Sequence, residues 1–115
     1  MGFSCGTLGS RDGMTVVWAI GEVDLAVAAR LGAEIETHLV PGAAVVLDCA
    51  GITFMDSLGL QVLVRAGRVA DEVKAHFSLV TTTAPVRRVL ELSGLSDGFI
   101  VYDNLARAEA EITKR

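Results

Sequence analysis

The chain has 115 residues, ten basic and fourteen acidic side chains for a net charge of −4, and 51% hydrophobic residues. That length builds one domain with a core that needs no metal or disulfide support. The scattered basic residues exclude a phosphate-neutralising surface, since a pair such as Arg87-Arg88 is too small a patch, so no nucleic-acid partner is expected.

In chain order, "FSCGTLGSRDG" reads as a weak edge-type strand that enters a turn at Asp12-Gly13. Met14 to Ile20, β-branched and aromatic, is a stronger strand. Leu25, Ala28, Leu31, Ile35 and Leu39 then recur at helical spacing, with Asp24 as the N-cap and Pro41-Gly42 as the stop. "AAVVLDC" is a continuous apolar run, the pattern of a strand covered on both faces. Leu58 to Val73 is a second helix whose polar residues Gln61, Arg65, Arg68 and Glu72 form one solvated stripe. "AHFSLVT" is a further strand, and Pro85 opens a third helix that Gly94 closes. Phe99 to Tyr102 gives a short strand, and Leu105, Ala108 and Ile112 mark a last helix. Strands alternating with helices predict an α/β fold over residues 1–115: one mixed, mostly parallel sheet of about five strands carrying about four helices. The first strand pair is its antiparallel part.

No apolar run approaches the roughly 18 to 20 residues that span a bilayer, so no membrane partner is expected. The start lacks the basic and apolar regions of a secretory signal, and Gly6 stands where a myristoylation pattern needs Ser or Thr. A cytoplasmic protein is the expectation. Cys5 and Cys49 stand far apart with no C-x-x-C and no nearby histidine, which argues against zinc. Small buried hydrophobes are the plain reading of both, and a redox-sensing pair is the alternative. No glycine loop of the phosphate-cradling kind precedes a helix, so no nucleotide or other cofactor is expected.

Ser57, in "LDCAGITFMDSLGLQVLVRAG", is the candidate functional side chain, and three roles fit it. It can cap the second helix by accepting a bond from an unpaired N–H of the first turn. As a nucleophile it would need a base. "MDSLG" holds the Asp-Ser-Leu core of one family of serine esterases, but Met55 replaces the glycine of that pattern and neither His38 nor His76 follows an Asp by three residues. Met55 and Gly59 likewise complete only half of a Gly-x-Ser-x-Gly elbow. As a phosphate acceptor it is well placed, since a helix N-terminus tolerates an added anion.

The order "GEVDLAVAARL", "VVLDCAGITFMDSLGLQVLV", "FSLVTTTAPVRRVLELSGL" and "GFIVYDNLARAEAEI" resembles the anti-sigma factor antagonists of the STAS domain family, over nearly the whole chain after Met14. The resemblance implies a regulator that is not an enzyme. It would bind an anti-sigma factor with GHKL-type serine kinase activity, release a sigma factor, and so act on transcription. It would be phosphorylated by that kinase at the start of the second helix and restored by a PP2C-type phosphatase. Carried over by position, Asp24 and Asp56 match the acidic residues that flank the acceptor, and Gly59 matches the glycine of the first helical turn. The usual second hydroxyl is absent, because Leu58 occupies it. Ser57 is therefore the phosphorylation candidate, or else the phospho-switch has been lost.

Leu58 and Val62, beside Gln61 and Arg65, are the expected partner interface, with packing on the sheet as the alternative for the two apolar residues. The expected state is a monomer or weak dimer. A STAS subunit of a lipid- or anion-transport system, without the switch, is the alternative function.

Overall fold

The computed structural model describes residues 2–11, 13–81 and 84–113. Five strands and four helices follow in the order β1 Ser4–Arg11, β2 Met14–Val23, α1 Leu25–Glu36, β3 Ala44–Met55, α2 Ser57–Val73, β4 His76–Val80, α3 Ala84–Ser93, β5 Ile100–Tyr102 and α4 Leu105–Thr113, with a 3₁₀ turn at Ser96–Gly98. The strands form one sheet in the order β1-β2-β3-β4-β5. β1 pairs antiparallel with β2, and every other neighbour pair is parallel. The α/β class, the mixed sheet and the helix count agree with the sequence reading; Asp12, half of the expected turn, lies outside the described residues.

The topology decides which face is covered. β2 to β5 lie side by side in chain order, and right-handed crossovers place α1, α2 and α3 on one face of the sheet. The main core forms there from Val17, Val23, Leu31, Leu47, Leu63 and Leu90, all essentially buried. Among the described residues the opposite face carries α4 alone. Ala108, Leu105 and Ile112 cover Met14, Val16, Val46 and Val80, and the rest of that face stays open.

Two boundaries differ from the sequence reading. α1 ends at Glu36, although Leu39 continues its spacing. The final turn tightens into i→i+3 bonds, from His38 N–H to Ile35 O and from Leu39 N–H to Glu36 O at 3.1 Å each. Leu39 thus still reaches the core. β3 in turn runs well past Cys49, to Met55. Its register against β2 shifts twice, between Asp48 and Gly51 and again between Ile52 and Phe54, so β3 carries extra residues as bulges. Gly51 is required at the first: a Cβ there would stand 2.7 Å from Ile20 Cγ1 and 3.0 Å from Ala19 O.

Candidate functional site

β2 and β3 end in step. Val23 pairs with Met55, and the next residues, Asp24 and Asp56, cap α1 and α2. Asp24 Oδ1 accepts from Ala26 N–H at 3.0 Å. Asp56 Oδ1 accepts from Leu58 N–H at 2.9 Å and Gly59 N–H at 3.1 Å. Asp56 N–H donates to Val23 O at 3.3 Å, tying the two strand ends together. Two capping aspartates therefore follow directly from one paired position, beside the N-termini of two helices.

The capping role expected of Ser57 belongs to Asp56. Asp56 has the extended conformation of a cap (φ −100°, ψ −172°), and Ser57 is already the first helical residue. Its side chain is exposed, and its hydroxyl takes no hydrogen bond among the described residues. Gly59 explains how the helix starts so near the sheet. A Cβ there would meet Met55 Cγ at 2.7 Å, Val23 Cγ1 at 2.9 Å and Val23 O at 3.2 Å.

Ser57 lies on the wall of an open groove of about 620 Å³ between the start of α1 and the outer face of α2. Leu25, Leu58, Val62 and Leu95 line it with apolar surface, and Gln61, Arg65 and Arg68 supply its polar side. Leu58 is half-buried. Val62 is half-buried too and packs on the main core, facing Gly32 of α1 across the helix contact. Gln61 and Arg65 are exposed, as the stripe required. Arg65 donates to Glu36 Oε2 at 2.9 Å, which joins α2 to the end of α1 and raises the Arg65 pKa through that bond.

The spacing puts Leu25 on the apolar face of α1, yet it is 73% exposed in the groove. Spacing fails here because two successive three-residue steps, from Leu31 back to Ala28 and Leu25, drift about 120° round the helix. Leu95, after α3, also reaches the groove, and nothing local in the sequence signals it.

Neither histidine approaches Ser57. His76 opens β4 opposite Ala44, at the far end of the strands from Ser57. His38 follows the far end of α1, where its Nε2 lies 2.9 Å from Thr7 Oγ1 and ties α1 to β1. Among the described residues no three His, Cys, Asp or Glu side chains gather into a metal site, and no helix is long and apolar enough to cross a membrane.

The cysteines are both free. Cys5 pairs with Ala19, and Cys49 lies on β3, the strand beyond. Two strand spacings, about 10 Å, exceed the roughly 7 Å that a disulfide bridges between Cα atoms. A direct redox pair is thereby ruled out in this fold. Burial pushes both thiol pKa values up. For Cys5 the nearby Arg30 opposes the rise, and for Cys49 the neighbouring Asp48 adds to it.

The fold and groove together give a small α/β domain with a serine-bearing helix start beside a largely apolar groove. Residues 8–108 match the STAS domain, and the chain belongs to that family. It is 30% identical to the anti-sigma-F factor antagonist RsfB of Mycobacterium tuberculosis over 86% of this chain and 81% of that protein. An anti-sigma F factor antagonist from Paenibacillus polymyxa is 31% identical over 59% of this chain, and the match spans only 58% of that relative. In three dimensions the chain resembles an anti-sigma factor antagonist from Mycobacterium paratuberculosis, with a TM-score of 0.82, 29% identity, and 95% and 94% of the two chains covered. Such relatives are regulatory binding proteins rather than enzymes.

Proposed function

We propose that the chain is an anti-sigma factor antagonist that docks an anti-sigma factor with serine kinase activity on the groove between α1 and α2. Capture of that partner frees a sigma factor and so changes transcription in the cytoplasm. The observation that carries this reading is Ser57 itself, an exposed and unbonded hydroxyl on the wall of an apolar groove. Leu25, Leu58 and Val62 give the partner apolar anchors, and Gln61, Arg65 and Arg68 give it a polar rim.

Phosphorylation supplies the off state. Ser57 Oγ attacks the γ-phosphorus of ATP held by the kinase. The hydroxyl proton passes to a base of the kinase, the Oγ–P bond forms as the bond from the γ-phosphorus to the bridging oxygen breaks, and ADP leaves with that oxygen. The product carries close to two negative charges at pH 7. A docked apolar partner would have to strip water from those charges, with Asp56 and Asp24 adding repulsion. Hydrolysis of the phosphoserine by a PP2C-type phosphatase restores binding. Leu58 leaves Ser57 as the acceptor of the motif.

The test is incubation with the cognate kinase and ATP, followed by intact mass and fragmentation. One added phosphate on Ser57, absent from Ser57→Ala, is the expected result, and Ser57→Asp should lose the partner. An unchanged mass, with a kinase still bound, leaves an antagonist without the switch. Copurification of a transporter subunit instead points to the transport-associated alternative.

A further inference from the structure

The two edges of the sheet are built differently. β5 is three residues long and offers a visiting strand little to pair with. β1 is eight residues long, and from Ser4 to Leu8 it keeps a regular register with β2 before the irregularity at Gly9. That regular run contains no Pro, Lys or acidic residue, the devices that usually blunt an open edge.

On the side of β1 that faces away from α1, Leu8 joins an apolar strip of β2, with Ser4 at its end opposite Ile20. Gly6 pairs with Trp18 and Leu8 with Val16, on the sheet face that α4 only partly covers. Leu8 is 57% and Ile20 53% exposed there. The indole of Trp18 lies across Gly6, since a Cβ on Gly6 would stand 2.8 Å from Trp18 Cζ2. The ring therefore reaches toward the edge of the sheet over a residue with no side chain.

We propose that β1 pairs antiparallel with β1 of a second copy of this chain, forming a two-fold dimer whose sheets run on into each other. Self-pairing about Gly6 sets Gly6 opposite Gly6, Ser4 opposite Leu8 and Cys5 opposite Thr7, so no like charges meet. The two Trp18 rings come together over the paired glycines and cover the apolar strip that each copy leaves open. A single long edge also closes the assembly at two copies, whereas two long edges would propagate a fibre. α1 stands between β1 and α2, so the groove beside Ser57 remains accessible in the dimer. The interface is small, which makes the association weak and concentration-dependent.

Sedimentation of the full chain from low micromolar to near-millimolar concentration tests this, with emission of Trp18, the one tryptophan of the sequence, as a local reporter. A monomer–dimer equilibrium tracked by a Trp18 spectral shift is expected. Ser4→Lys combined with Leu8→Lys sets like charges opposite each other twice and should weaken the dimer about tenfold or more. Ser4→Lys combined with Leu8→Glu should restore it, because the same register then pairs opposite charges. Both side chains are exposed, so the variants should melt close to the parent. Should they fail to fold, hydrogen exchange of the unaltered protein decides: β1 amides must gain protection as concentration rises. A parent that stays monomeric throughout, a double-lysine variant that dimerises as well as the parent, or β1 exchange independent of concentration would each overturn the proposal.

Discussion

Gly59 and Lys74 show how single residues hold the two ends of α2. At the start, Gly59 lets the helix approach Val23 and Met55 more closely than a Cβ permits. Gly59→Ala gains about 1 kcal/mol of helix propensity but overpacks the contact at about 1–3 kcal/mol. The expected net result is a loss of about 1 kcal/mol in urea denaturation; with Ser57 as the proposed acceptor, its phosphorylation should also slow as the helix start is pushed off the sheet. At the other end, Lys74 caps the helix with φ +63°, a left-handed conformation that costs a non-glycine residue about 1–2 kcal/mol. Lys74→Gly relieves that strain, less the ~0.5–1 kcal/mol of added freedom in the unfolded chain. A small rise in melting temperature is expected, and Lys74→Val at the same position should lower it.

At the scale of the element, α1 and α2 divide their surfaces between core and groove. Leu31 and Ile35 are fully buried, whereas Leu25, at the start of the same helix, faces the groove. Leu25→Asp should leave stability within about 0.5 kcal/mol of the parent, helped by the favourable placement of an acid at a helix N-terminus. Affinity for the anti-sigma factor should fall about tenfold or more as an apolar anchor becomes a charge. Calorimetric titration beside thermal melting separates the two effects; an unchanged affinity would move the docking site away from Leu25. Helix periods and β-branched runs made the order of elements legible in the sequence, because each reports a local covering pattern. The bulges of β3 were not legible, since extra residues break the alternation that marks a strand. The cap was misassigned by one position, because adjacent Asp and Ser can each cap and only the backbone geometry decides. Leu95 in the groove depends on where α3 ends relative to α2, a tertiary fact with no local trace.

The whole molecule is asymmetric, with three helices over one face of the sheet and one over the other, and its deepest thiol lies under the covered face. Cys49 is fully buried, its Sγ–H aimed at Leu47 O at 3.6 Å. Reagent therefore reaches it only through global opening, whereas Cys5, half-buried at the edge, reacts through local motion. Thiol labelling should be biphasic, with Cys49 slower than an exposed thiol by about 10³ or more for a stability of ~5 kcal/mol or above. The same burial makes stability pH-dependent. The Cys49 pKa is raised in the folded state, so above about pH 8.5, where an unfolded thiol ionises, the native chain binds more protons than the unfolded one. Its contribution to stability is thus intact below that pH and declines above it, by up to about 1.4 kcal/mol per pH unit. Cys5 acts in the same direction. Urea denaturation at about pH 8 to 9.5 should show this decline. Cys49→Ala, somewhat less stable at neutral pH from the lost packing, should show a flatter one. Equal slopes for the two proteins would mean that Cys49 ionises in the native state, and rapid labelling of both thiols would place Cys49 outside the core.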